Sequence, residues 1–225
     1  MSSRVRGRGH PREGGAGPVR TICVVQSRLS SKRFPSKALA DLNGHPMIWH
    51  VVERAKDIAG VEVVLAVPVA DATVFRATVS EVEIYADRGD ETDVLGRFVA
   101  VARAHDAEEI VRVTGDCPVL NPAVANQVLT LFWDLQPCHF ASNDTLVSGW
   151  PDGFDVAVID RAALETAAAQ ATDPQDREHL ECWFKRPENG MRCVTLMNPE
   201  PWTGPKKLSV DTVEDLEGVK AWLAR

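Results

Sequence analysis

The residues best suited to do chemistry stand together in one short loop, residues 26–37. This loop holds four cations, four serines and no carboxylate. The cations are Arg28, Lys32, Arg33 and Lys37, and the serines are Ser27, Ser30, Ser31 and Ser36. Arginine forks and lysine point charges pair with phosphate oxygens, and serine hydroxyls and loop N–H groups complete such a site. A solvated basic turn is the alternative, but an apolar strand leads into the loop and Pro35 stiffens it, so the loop predicts a polyphosphate site.

Two aspartates at the ends of predicted strands add metal-binding chemistry to the loop. Asp116 follows a strand over residues 109–113 after a turn that Gly115 permits, and Asp211 follows a strand over residues 207–210. The carboxyl ends of strands form the ligand crevice of an open α/β sheet. Mg²⁺ commonly takes one or two carboxylates together with phosphate oxygens and water. The alternative is that each aspartate only caps its own turn. Together with the loop, the pair indicates phosphoryl or nucleotidyl transfer.

Strand and helix patterns alternate along the chain and would position these residues. Apolar runs predict strands over residues 21–25, 61–67, 82–85, 109–113, 154–159, 191–197 and 207–210. Helical patterns cover residues 47–58, 70–79, 92–105, 122–135, 161–171 and 177–185, and Thr212 caps a final helix with Asp215 three residues on. The alternation predicts a single α/β domain over residues 20–225, with a mixed, mostly parallel sheet and helices on both faces.

Composition narrows the class of protein. The net charge of −7 argues against general nucleic-acid or membrane-surface binding, and no apolar run approaches the roughly 20 residues that cross a bilayer. Five cysteines without metal-ligand spacing fit free thiols in a reducing cytoplasm. Residues 1–19 combine four arginines with glycine, serine and proline, and we expect a disordered tail there.

Several common nucleotide and hydrolase motifs are missing from the sequence. There is no G-x-x-x-x-G-K-[ST] phosphate loop, no G-x-G-x-x-G after the first strand and no G-x-S-x-G elbow. P-loop kinases, dinucleotide-binding Rossmann enzymes and α/β-hydrolases are therefore disfavoured.

An ordered set of segments resembles one enzyme family. The segments are VQSR (25–28), RFPSK (33–37), LNGHPM (42–47), DVLGRF (93–98), RVTGDCP (112–118), PDGFDV (151–156), REH (177–179) and VDTVEDL (210–216). They resemble the cytidylyltransferases that make CMP-activated acid sugars, which include the acylneuraminate and 3-deoxy-manno-octulosonate enzymes, and most of all the branch of spore-coat polysaccharide biosynthesis protein F. The resemblance implies a GT-A-like, Rossmann-like nucleotidyltransferase fold. The sequence departs from the family at Ser36, a position where the family commonly has glycine, which would relieve backbone strain.

The resemblance also implies roles for individual residues. Arg28 and Lys37 would hold the triphosphate of CTP, and Asp116 and Asp211 would hold Mg²⁺. These four residues form the implied catalytic set. The implied nucleotide-binding set is Gln26, Ser27, Arg28, Ser30, Arg33, Lys37, Asp93 and Gly115. The implied reaction joins CMP to a hydroxyl of a small acidic sugar or polyol, in cytoplasmic biosynthesis of cell-surface polysaccharide or glycoconjugate. The resemblance is also compatible with a homodimer.

The acceptor-binding residues are expected in two further places. Asp152 and Asp155 lie in a turn, where they bond sugar hydroxyls or simply stabilise the turn. Arg177, Glu178 and His179 open a predicted helix, where the cation would meet an acceptor carboxylate and the imidazole would accept a hydroxyl proton. The alternative there is a solvated helix start with a half-buried histidine.

Two other classes of function remain as rivals. A sugar-nucleotide-dependent glycosyltransferase of related fold would need a metal-binding D-x-D motif, and the chain contains none. A non-catalytic nucleotide-binding module would not need the two strand-end aspartates, Asp116 and Asp211.

Overall fold

The computed structural model describes residues 19–225. The nine strands of this range are β1 Thr21–Gln26, β2 Asp41–Leu42, β3 His45–Pro46, β4 Glu62–Pro68, β5 Glu83–Asp87, β6 Glu109–Thr114, β7 Phe140–Ser142, β8 Val156–Asp160 and β9 Cys193–Thr195. The eight α-helices are α1 Met47–Lys56, α2 Ala72–Thr78, α3 Val94–Ala104, α4 Pro122–Asp134, α5 Arg161–Gln170, α6 Pro174–Glu178, α7 Leu180–Phe184 and α8 Val213–Leu223. The predicted tail lies outside the described residues apart from Val19, whose side chain is buried.

A seven-stranded sheet in the order β5-β4-β1-β6-β8-β7-β9 forms the centre of the fold. The strands β5, β4, β1 and β6 are parallel, β8 runs antiparallel to both of its neighbours, and β7 and β9 are parallel to each other. The predicted mixed, mostly parallel sheet is therefore confirmed. The chain steps outward from β1 to β4 and β5, then returns to place β6 on the other side of β1. Such a reversal of strand order opens a crevice at the carboxyl ends of the two strands.

Hydrophobic cores cover both faces of the sheet, as the near-continuous apolar strands require. On β1, Cys23 and Val25 pack toward α1, α2 and α4, whereas Ile22 and Val24 pack toward α3, α5 and α7. All four side chains are buried. This two-sided burial fixes where β1 ends, and it places the cationic loop at the crevice.

A third apolar cluster holds the carboxyl-terminal segment against the small β2–β3 hairpin. Leu208 and Val210 are fully buried in it, together with residues of α8. The predicted strand over residues 207–210 is wrong, because the segment forms a single bridge, between Asp152 and Lys207, beside a turn outside the main sheet. Its alternating side chains, Leu208 and Val210, pack into this local cluster, and their spacing is the same as in a half-buried strand.

The predicted helix over residues 177–185 is confirmed only in part. The end of α6 and the whole of α7 occupy this range, and they are separated at His179, whose φ of −116° and ψ of 72° are not helical. Arg177 and Glu178 accordingly end α6 and do not open a helix. The short strand β7 was not predicted. The capping box that begins α8, with Thr212 and Asp215, is confirmed.

Candidate active site

The cationic loop enters the site through a backbone conformation that favours glycine. After β1, the chain curls back so that the Ser36 N–H donates to the Leu29 carbonyl over 2.9 Å. Ser36 then adopts φ 56° and ψ 26°, in the left-handed region. This turn starts the short 3-10 helix Lys37–Leu39 and directs Lys37 inward. A non-glycine residue in this region costs roughly 1–2 kcal/mol, so the loop is held by its surroundings.

A cavity of about 720 Å³ opens at the carboxyl ends of β1 and β6. Its volume lies within the range of small-molecule sites. The two strands approach closely there, because the Gly115 N–H donates to the Gln26 carbonyl over 2.8 Å. A Cβ on Gly115 would lie 2.7 Å from that carbonyl oxygen, which is why glycine is needed. The predicted residues that line the cavity are Gln26, Ser27, Arg28, Ser30, Arg33, Lys37, Gly115, Asp116, Glu178, His179 and Asp211.

Lys37 lies at the centre of the polar contacts in this cavity. Its Nζ contacts Asp116 Oδ2 at 2.9 Å, Asp211 Oδ1 at 3.0 Å and the Val210 carbonyl at 2.6 Å. The Lys37 side chain is only 14% exposed. Arg33 adds an ion pair to the same Asp211 oxygen at 2.9 Å. Two carboxylates, one just after β6 and one just before α8, therefore converge on a single cation.

The local structure leaves Asp211 free to face the cavity. The cap of α8 is Thr212, whose hydroxyl accepts from the Asp215 N–H, while Asp215 accepts from the N–H groups of Asp211 and Thr212. Asp211 is therefore not the helix cap. Burial acts to raise the pKa of Asp211, but Lys37 and Lys207 outweigh it, and the pKa lies below its ordinary value. The carboxylate stays ionised.

Arg28 pairs with two glutamates that also line the cavity. Its guanidinium contacts Glu178 at 3.1 Å and Glu91 at 3.5 Å. Ser30 also bonds Glu91. These contacts join the loop to the segment before α3 and to the end of α6.

Asp93 and Arg177 are placed together, but not in the main cavity. Asp93 caps α3 by accepting from the Gly96 N–H at 2.9 Å, and it pairs with Arg177 at 2.8 Å. Arg177 also donates to the carbonyls of Ala168 and Ala171. Both side chains line an adjoining cavity of about 600 Å³, which shares Glu178 and His179 with the first. Arg177, which was expected to bind an acceptor carboxylate, therefore makes structural contacts within the protein instead.

Asp152 and Asp155 make the contacts of a stabilised turn. Asp155 accepts from the Gly153 N–H at 2.7 Å and from the Thr145 hydroxyl at 2.8 Å. Burial raises the pKa of Asp152 above its usual value. Neither side chain is among those lining the two cavities. Their geometry matches the turn-stabilising alternative more closely than a sugar contact.

With this geometry in place, comparison with known proteins identifies the family. Residues 22–181 match the cytidylyltransferase family. The chain belongs to this family. It is 27% identical over 208 residues to the spore coat polysaccharide biosynthesis protein SpsF of Bacillus subtilis (strain 168), covering 89% of this chain and 85% of that protein. It is 31% identical over 161 residues to the 3-deoxy-manno-octulosonate cytidylyltransferase of Herminiimonas arsenicoxydans, covering 69% of this chain and 64% of that protein.

A solved structure shows the same fold. A cytidylyltransferase from Leptospira borgpetersenii serovar Hardjo-bovis (strain JB197) superposes with a TM-score of 0.83 at 23% identity, covering 92% of this chain and 87% of that one. The predicted family, fold and enzyme class, a CTP-dependent nucleotidyltransferase, are confirmed. No helix in the described part of this cytidylyltransferase is long and apolar enough to cross a membrane.

The structure adds cavity residues of this cytidylyltransferase that the sequence analysis did not assign. Glu91, Arg112 and Thr114 all line the main cavity. Arg112 lies inside the otherwise apolar part of β6, which is the signal that could have identified it. Glu91 lies in a polar segment with no such signal.

Proposed function

We propose that this cytidylyltransferase transfers CMP from CTP to a hydroxyl of a small acidic sugar or related polyol, releasing pyrophosphate, with Mg²⁺ as cofactor. The relatives lead us to place the product in cell-surface polysaccharide or glycoconjugate biosynthesis. The observation that carries the proposal is the convergence of Lys37, Asp116 and Asp211 at the carboxyl ends of β1 and β6. Phosphate-binding and metal-binding chemistry meet there in one cavity.

The carboxylate pair suits a divalent cation that is shared with a nucleotide. Asp116 and Asp211 each bring one oxygen within 3.0 Å of the same ammonium group. No cluster of three or more metal-binding side chains occurs within residues 19–225. Two carboxylates completed by phosphate oxygens and water match the usual binding of Mg²⁺. When bound, such an ion withdraws charge from the reacting phosphate.

The protein's own residues position and neutralise the reactants. Arg28, Arg33 and Lys37 bind the triphosphate, with the phosphate oxygens replacing the carboxylates that these cations now contact. The acceptor oxygen forms a bond to the α-phosphorus as the bond to the pyrophosphate oxygen breaks. His179, which lines both cavities, takes the proton that the acceptor hydroxyl loses.

A screen for pyrophosphate release tests this proposal. The four nucleoside triphosphates are crossed with 3-deoxy-manno-octulosonate, N-acetylneuraminate, sugar phosphates and polyols. We expect release with CTP and an acidic acceptor. A melting temperature raised by a UDP- or GDP-sugar but not by CTP would support the glycosyltransferase rival instead.

Substitutions in the triad of Lys37, Asp116 and Asp211 should remove activity without unfolding the protein. Asp116→Asn or Lys37→Met should lower kcat by about 10²–10³, because each removes a group that stabilises charge in the transition state. Lys220→Met, on the surface of α8, serves as the control for loss of a lysine charge. The readouts are steady-state pyrophosphate release and thermal melting. Turnover like the wild type in both triad variants would refute the assigned roles.

A further inference from the structure

The main cavity contains a cation whose role is not yet assigned. Among the described residues, the arginines that line it apart from the loop cations are Arg97 and Arg112. Arg97 is buried, and its guanidinium already has partners within the protein. Its Nε contacts Asp87 at 3.0 Å and its Nη2 donates to the Glu91 carbonyl at 3.1 Å. The neighbouring Arg177 is likewise committed to Asp93 and two carbonyls. Elimination leaves Arg112.

The polar contacts of Arg112 are incomplete. Its side chain is 12% exposed, and Nη1 lies 3.5 Å from Glu181 Oε2, a long ion pair. The Arg112 Nε and Glu181 Oε2 are buried without a hydrogen-bond partner among the described residues, and so is Gln26 Oε1. Burial acts to raise the pKa of Glu181, but Arg112 and other nearby groups hold it below its usual value. The guanidinium thus keeps donor capacity beside a cavity.

The strand register places Arg112 next to the acceptor side of the site. Arg112 pairs with Val24 across β1 and β6, so its side chain faces α3 and α7, as Val24 does. Glu181 lies on α7, two residues after His179, which lines the same cavity. Asp116 follows four residues after Arg112, beyond the end of β6.

We propose that Arg112 binds the carboxylate of the acceptor and selects acidic over neutral acceptors. This inference rests on the proposed transfer from CTP. A guanidinium matches a carboxylate with two parallel hydrogen bonds, and the loop cations are already allotted to the triphosphate. Glu181 is a positioning residue, because it holds the guanidinium from the side of α7.

The test compares Arg112→Gln and Arg112→Lys with the wild type. The control is Arg103→Gln, which removes an exposed arginine paired with Glu165 on the surface. The probes are 3-deoxy-manno-octulosonate, N-acetylneuraminate and their methyl esters. Binding to the CTP-loaded protein without metal is measured by calorimetry, and KM is measured for each substrate with metal.

We expect Arg112→Gln to weaken acid binding and raise the KM for the acid about 10- to 150-fold, the range for a hydrogen bond to a charged group. The KM for CTP and the binding of the esters should change less than twofold. Arg112→Lys keeps the positive charge but loses the two parallel hydrogen bonds of the guanidinium, so its effect on acid binding should be intermediate. If Arg112→Gln does not fold, the Arg112→Lys variant provides the test.

Three outcomes would overturn the inference. They are a wild type that binds none of the acids, a wild type that turns over only neutral acceptors, and an Arg112→Gln variant that affects acid and ester equally. Turnover of CTP with neutral acceptors only would refute the role of Arg112 but leave CMP transfer intact. Arg112-dependent acid binding without pyrophosphate release would do the reverse.

Discussion

At the scale of single residues, one ammonium group connects the two halves of the active site. Lys37 belongs to the loop that is proposed to bind the triphosphate, yet its Nζ contacts both proposed metal ligands, Asp116 and Asp211. A divalent cation that takes these carboxylates competes with that ammonium group. A triphosphate offers Lys37 other oxygens, so nucleotide and metal should favour each other's binding.

The corresponding prediction concerns metal binding without turnover. Lys37→Met should bind Mn²⁺ at least tenfold more tightly than the wild type when no nucleotide is added, since about 1.4 kcal/mol of competition gives that factor. The measurement is calorimetric titration with Mn²⁺, and Lys220→Met is again the control. Adding CTP should tighten metal binding to the wild type. Equal affinities of Lys37→Met and wild type without nucleotide would contradict the competition.

At the scale of elements, the ends of β1 and β6 position the chemistry. The Gly115 N–H joins the two strand ends, and the left-handed Ser36 turns the loop back over them. The first position requires a residue without a side chain, whereas the second is a strained position filled by serine. Glycine should therefore increase the stability of the protein at position 36, whereas replacing the glycine at position 115 should decrease it.

Stability measurements on both positions test this reading. Ser36→Gly should raise the free energy of unfolding by about 0.5–1 kcal/mol, because relief of strain exceeds the added chain entropy of glycine. Ser36→Ala should leave it nearly unchanged. Gly115→Ala should lower it by about 1–3 kcal/mol, through the clash with the Gln26 carbonyl. Chemical denaturation gives all three values. A destabilising Ser36→Gly would show that the loop depends on the serine side chain.

What the sequence could predict follows from how local each signal is. The strands around β1 and β6 are buried on both faces, so their apolar runs predicted the sheet and the strand-end residues. The segment over 207–210 was wrongly predicted as a strand because its apolar side chains pack in a local cluster. The break at His179 and the commitment of Arg177 to Asp93 depend on contacts between distant segments. No local pattern encodes those contacts.

At the scale of the whole molecule, one cavity is assembled from segments spread across the chain. The loop after β1, the end of β6, the junction of α6 and α7, and the segment before α8 all contribute to it. Arg28 and its two glutamate partners link the loop and the end of α6 to the segment before α3, which also lines the cavity. The arrangement predicts a single reaction centre where CTP is divided into CMP and pyrophosphate.

The most direct test follows the phosphorus atoms of CTP. The protein is incubated with Mg²⁺ and 3-deoxy-manno-octulosonate or N-acetylneuraminate, using CTP labelled at either the α- or the γ-phosphorus. The account predicts that the α-label enters the acceptor product, that the γ-label leaves as pyrophosphate in equal amount, and that both transfers fall about 10²–10³-fold in Asp116→Asn. An α-label found only in CMP or CDP, or a γ-label released as orthophosphate, would contradict nucleotidyl transfer.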